Sequence, residues 1–161
     1  MFNSHTRLVC LVTVLAALAP VSVADAKTRN YSSEIVSSPL STDNGYPGVG
    51  GTAYLAGSLE TKPFGDGALI DHVAITGWPY ERNVFTFEGT EVAMFAKGTV
   101  RSSFTGFAKV LEDGSQELVA DGRISGGTER FRHATGRYKF HGTIPAGSNV
   151  LTGGSTGRIK F

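Results

Sequence analysis

Apolar and polar residues alternate with a period of two along most of this chain. Residues 52–61 set Ala53, Leu55, Gly57 and Leu59 on one side, with polar or small residues opposite. Such alternation marks a β-strand with one buried face. Residues 68–77 repeat it, with Leu69, Asp71, Val73 and Ile75 sharing a face, and 84–87 follow as another strand. Strands are then predicted over 91–97 and 99–110, broken at Gly98-Thr99, and over 118–125, 135–143 and 154–161. Glu112-Asp113-Gly114-Ser115 reads as a hairpin turn between Leu111 and Leu118. Upstream the pattern loosens: residues 31–36 offer a candidate strand, and 37–50 read as a connection rich in Ser, Pro, Gly and Asn. No segment sustains a helical period. The pattern predicts one all-β domain over 50–161, preceded by a loosely structured segment over 27–49.

Glycine decides what kind of sheet this is. All 21 glycines lie beyond residue 26, about twice the usual share of roughly 7 %. Many fall inside predicted strands, where glycine marks a bulge or a sharp bend. A sheet bent in most of its strands curls on itself, and closure removes the free edges that invite aggregation. A closed antiparallel barrel of about eight strands is therefore expected in preference to an open sandwich.

The first 26 residues read differently. Arg7 supplies a positive start, residues 8–19 an apolar run, and Ala24-Asp25-Ala26 the small residues that a signal peptidase recognises. The run is too short for a stable membrane span. Cleavage before Lys27 predicts an exported chain, secreted or periplasmic, with no membrane attachment. Loss of Arg7 and Asp25 takes 15 basic and 14 acidic side chains to 14 and 13, still a formal +1. That balance offers no footprint for nucleic acid or an anionic membrane. The one cysteine, Cys10, leaves with the leader, so the domain must stand on its core without disulfides.

Residues 126–143, GGTERFRHATGRYKFHGT, resemble the GGTGxFxxAxG signature of the dirigent and allene oxide cyclase barrels and their bacterial relatives. The similarity extends more weakly over 50–161, including the closing TGGSTGRIKF. The resemblance implies an eight-stranded antiparallel barrel, often a homotrimer, with an apolar cavity and no cofactor. In plants such barrels steer the coupling of phenoxy radicals or cyclise an unsaturated epoxide. Two positions depart from the motif: Glu129 stands where glycine is usual, and His133 where a small residue is usual. Both fall in the connecting turn, where Thr128 could cap a first helical turn and Glu129 would suit its positive end. The plant enzymes' pocket residues lie outside the motif, so no catalytic residue carries over.

Several residues could carry chemistry. Asp71 shares its face with apolar neighbours, so an acid would enter an apolar lumen; desolvated, it would titrate high and could act as a general acid or base. The plain alternative is a solvated or paired acid at a barrel rim. Tyr138 is a second candidate for moving a proton. Trp78-Pro79-Tyr80 ends a strand with two amphipathic rings, suited to the lip of a pocket or to a plug. Phe104 and Phe140 are candidates for a ligand platform or for core. His72, His133 and His141 lie on different segments, with no His-x-His pair, no HExxH and no cysteine, so no metal site is predicted. Ser102-Ser103 and Ser125 lack a GxSxG elbow, and Gly126-Gly127-Thr128 lacks the GK[ST] of a phosphate loop. Arg130, Arg132, Arg137 and Lys139 read as a solvated face opposite an acidic strand. Asn30-Tyr31-Ser32 matches a glycosylation sequon, of use only in a host that glycosylates. Three functions stay open: a carrier that binds or orients a small apolar or phenolic molecule, a cofactor-free isomerase or cyclase, and a filled structural barrel.

Overall fold

The computed structural model describes residues 27–78 and 83–161. The expected leader and its cleavage site, and Tyr80 of the aromatic pair, lie outside the described residues. Eight strands follow in chain order: β1 Thr28–Asp43, β2 Thr52–Lys62, β3 Gly65–Gly77, β4 Val84–Phe95, β5 Gly98–Val110, β6 Gln116–Gly127, β7 Thr135–Ile144 and β8 Leu151–Lys160. Each pairs antiparallel with the next, and β8 returns to β1, so the sheet is a closed barrel. The one helical element among the described residues is the 3₁₀ turn Glu129–Phe131. Among the described residues no helix is long and apolar enough to cross a membrane.

The segment over 27–49 corrects the expectation of loose structure. Its residues 28–43 form the longest strand, and ten register pairs from Thr28↔Lys160 to Ser37↔Leu151 close the barrel. The strand was hard to read because its inward face alternates Tyr31, Ser33, Ile35 and Ser37, all buried. Serines at inward positions erase half of the apolar signal. Pro39, unable to donate to a ladder, sits where the β1–β2 register shifts. The two short strands expected over 84–87 and 91–97 are one strand, β4, running through Gly89.

The glycines serve as seats for rings. In the β4–β5 ladder Phe87 opposes Gly106 and Phe104 opposes Gly89, and each ring lies over its glycine, where a Cβ would strike it. Tyr138 covers Gly122 in the same way across β6–β7. An eight-stranded barrel has just enough interior for its side chains. Rings seated over glycine fit these three large aromatics into that width.

The two ends differ. At the end holding the β2–β3 turn and both chain ends of the barrel, Phe64 meets Phe131, Phe161 and Phe95 edge-on, at centroid separations of 4.8, 5.2 and 5.3 Å. This cluster continues into Leu59, Leu69, Ile124 and Ile159, all buried. The other end, where β1 leads to β2, β5 to β6 and β7 to β8, carries Tyr46, Gln116 and Ile144.

The turn after β6 departs from the expected cap. Thr128 makes no side-chain cap; its hydroxyl instead accepts from the Thr99 amide at 3.0 Å and so ties the turn to β5. Glu129, standing where the resembled motif has glycine, is held at φ 49°. That left-handed conformation costs a side-chain-bearing residue roughly 1–2 kcal/mol and glycine nothing. Gly136 is constrained differently, by space: a Cβ there would overlap the Arg158 carbonyl oxygen on β8. Gly142 is crowded by the Phe140 ring. Thermal unfolding of two variants should separate the causes. Gly136→Val is expected to lose about 1–3 kcal/mol, as overpacked sites do. Glu129→Gly should hold or gain up to about 1 kcal/mol, relieved strain outweighing the added freedom of the unfolded chain; a loss there would show that its side chain is needed.

Candidate functional site

Antiparallel register brings two acids face to face inside the barrel. On β3 the inward residues are Leu69, Asp71, Val73 and Ile75, and on β4 they are Phe85, Phe87, Gly89, Glu91 and Ala93; Asp71 pairs directly with Glu91. Directly opposed residues place their Cβ atoms roughly 5 Å apart. Both are buried, Asp71 at 9 % and Glu91 at 8 % exposure. The rim position allowed for Asp71 does not occur: the acid sits at mid-height, with the phenylalanine cluster on one side and a cavity on the other.

That cavity has a volume of about 80 Å³. Its walls are Leu55, Val73, Ile75, Phe85, Phe87 and Leu118 with Phe104 and Phe140, and it reaches Tyr46, Gln116 and Ile144 at the barrel end. Asp71, Glu91, Tyr138 and Ser155 supply polar groups in its interior, and Tyr46 and Gln116 supply others toward the barrel end. Among the described residues no Lys, Arg or His lines it.

The polar groups are unevenly satisfied. The Ser102 hydroxyl donates to Glu91 Oε1 at 3.3 Å and lies 2.9 Å from the Tyr138 hydroxyl. Having one proton, Ser102 then accepts from Tyr138, giving a chain Tyr138–Ser102–Glu91. Gly122 makes this reach geometrically open, since the Tyr138 ring crosses β6 where no side chain stands. Asp71 Oδ1 is buried with no hydrogen-bond partner.

Burial sets the protonation of the pair. Desolvation first, then the Glu91 charge, pushes Asp71 up to about 8. Desolvation pushes Glu91 up to about 7, against the Ser102 hydrogen bond, which favours the charged form. Two carboxyls this close in an apolar lumen titrate as a unit and hold a shared proton near neutrality. Tyr138 and Tyr31 are pushed above the usual tyrosine range, mainly by burial and next by Glu91, so both phenols stay neutral.

Of the residues singled out from sequence, Asp71, Tyr138, Phe104 and Phe140 line one cavity. Trp78 does not; it is 42 % exposed and packs on Phe85, a wall residue, with centroids 5.3 Å apart. Glu91 was missed. The signal existed in the period-two row Phe85, Phe87, Gly89, Glu91, Ala93, but Gly89 reads as a break. The histidines stay apart: His72 packs its ring against Tyr54 at 4.7 Å on the outer face, and His133 and His141 are exposed. Among the described residues no group of three or more His, Cys, Asp and Glu could hold a metal. The basic face is only partly paired: Lys139 meets Asp121 at 3.4 Å, both well exposed, while Arg137 opposes Arg123 and Arg158 in register. Arg130 leaves that face and lies over the Phe161 ring at 4.8 Å.

No protein-family model matches the chain, and no curated protein matches it.

The acid pair makes stability fall with pH. The folded barrel keeps protons that the unfolded chain releases near pH 4, so it binds more protons than the unfolded chain from about pH 4 to 8. Stability therefore declines across that window, by up to about 1.4 kcal/mol per pH unit for each retained proton. Asp71→Asn and Glu91→Gln should each flatten the decline relative to the parent and melt higher at pH 8. Parallel pH profiles for parent and variants would place both acids outside the lumen.

Proposed function

We propose that this protein is an exported barrel that takes up a small apolar molecule in its lumen and orients it against a carboxyl pair. The observation carrying this reading is the cavity itself: apolar walls that end on Asp71, whose Oδ1 is buried and unpartnered. An apolar pocket with a few convergent polar groups is what ligand sites generally present. The resemblance to dirigent and allene oxide cyclase barrels supports the same reading. Its volume limits the guest. At about 80 Å³ it is well below the roughly 300–1,000 Å³ of drug-sized sites, so the guest is one small ring or a short chain.

A second reading, a cofactor-free isomerase or cyclase, is favoured by one observation. A protonated and an ionised carboxyl side by side can give a proton at one point of a bound molecule and accept one at another. In that case Asp71 and Glu91 exchange the proton and Tyr138 fixes Glu91 through Ser102. Turnover would then fall steeply in both Asp71→Asn and Glu91→Gln, whereas a carrier would lose affinity alone.

Ligand-observed NMR with phenol and toluene tests the lumen directly. The parent should bind either probe, and Ala120→Leu, which fills the cavity from a buried wall position, should weaken binding at least tenfold while keeping its sheet signal. A parent that binds neither leaves the filled structural barrel as the better reading. Export is tested by mass spectrometry of the protein outside the cytoplasm, expected to begin at Lys27. The homotrimer implied by the resemblance would close on the apolar outer strip where Ile70 opposes Ala56 and Val92, and Ala68 opposes Met94; light scattering gives the molar mass.

A further inference from the structure

Charge in the lumen is one-sided. Asp71 pairs with Glu91 on β4 and with Leu55 on β2 and shares the cavity with Tyr138 of β7 and Ser155 of β8, while Ser102 of β5 and Tyr31 of β1 lie near Glu91. On these and the neighbouring strands His72, Arg101, Arg123, Arg137, Lys139, His141 and Arg158 alternate to the outer face, and Arg29 of β1 stands exposed over the Phe161 ring at the phenylalanine end. Among the described residues the lumen thus holds two acids and no counter-charge. A buried carboxylate without a cation is costly, and the protein meets that cost only by keeping a proton. The walls meanwhile present six aromatic rings, those of Tyr46, Phe85, Phe87, Phe104, Tyr138 and Phe140, and a ring face attracts a cation.

Building on the lumen reading, we infer that the guest is a small organic ammonium, a protonated primary amine on an apolar body of about one ring, seated between Asp71 and Glu91. An ammonium group offers three donors and one positive charge. It supplies the hydrogen bond that Asp71 Oδ1 lacks and the charge that both acids lack. A phenol or alcohol offers one donor and no charge, so one acid would stay unpaired. A hard metal ion is less suited: among the described residues no group of three or more His, Cys, Asp and Glu could hold one, and to reach the six to eight oxygens of calcium both carboxylates would have to bind through two oxygens each with neighbouring hydroxyls added. The aromatic walls, which would leave a metal ion's outer sphere dry, suit the apolar body of an amine.

Ammonium binding requires the pair to give up its shared proton. Affinity for an amine should therefore rise with pH across the range in which the pair titrates, about 7 to 8, and level off until the amine itself deprotonates near 10. A neutral guest releases no proton and shows no such rise.

Calorimetry with benzylamine and n-butylamine, each beside its alcohol, decides the matter. The amines are expected to bind the parent at least tenfold more tightly than the alcohols at pH 8.5. Their affinity should fall about tenfold or more between pH 8.5 and 6, with proton release seen as a buffer-dependent heat. Asp71→Asn and Glu91→Gln should each lose at least tenfold more affinity for the amines than for the alcohols, with the sheet circular dichroism and a cooperative melt retained to show that the barrel is intact. If either variant fails to fold, the pH profile of the parent decides alone. Alcohols binding as well as amines, with affinity flat in pH, overturn the ammonium and leave the lumen reading standing. Calcium or potassium displacing the amine at equal concentration overturns it in favour of a metal site. Binding of neither amine nor alcohol removes both readings together.

Discussion

Everything inside this protein depends on the ladder between its first and last strands. The ten pairs joining β1 to β8 turn a curled sheet into a tube and leave no strand edge unpaired. Only then do inward residues of β3, β4, β5 and β7 face a common interior from which water is largely expelled. An open sheet would leave Asp71 and Glu91 side by side but wet, with ordinary carboxylate behaviour. Closure raises their proton affinity, because it removes the solvent that would stabilise two charges.

Width is the second constraint, and glycine answers it. Phe87, Phe104 and Tyr138 each lie across a glycine of the adjacent strand, so the tube holds large rings without spreading. The same arrangement carries the Tyr138 hydroxyl to Ser102 and thereby fixes the far side of Glu91. Packing and polar geometry are one device here: a side chain at Gly122 would displace the ring and cut the chain of hydroxyls with it.

The fold was legible from sequence where the inward face is apolar. Leu69, Val73 and Ile75 announced β3 and put Asp71 on its inner face, and the hairpin at Glu112–Ser115 bounded β5 and β6. β1 was legible only over 31–36, because Ser33 and Ser37 occupy inward positions and the rest of the strand reads as linker. Glu91 escaped because Gly89 splits β4 in two for any reader of periodicity, although the glycine is there to seat Phe104. The pairing of Asp71 with Glu91 needs a register that depends on the length of the β3–β4 connection, and the Tyr138–Ser102 bond joins residues 36 apart in sequence. Neither has a local signature. Glu129 shows the reverse case: a residue whose oddity against the resembled motif became intelligible once its left-handed backbone was seen.

The phenylalanine cluster at one end gives the tube a floor. Phe64, wedged among Phe95, Phe131 and Phe161, leaves nothing at that side for a molecule to pass through without melting the packing. For the guest proposed above, traffic would be single file: a molecule entering from the Tyr46 side would meet the acids last and would have to back out before a second could follow. Such a vessel would not bring two partners together at its innermost point, and the acid pair would serve one guest at a time.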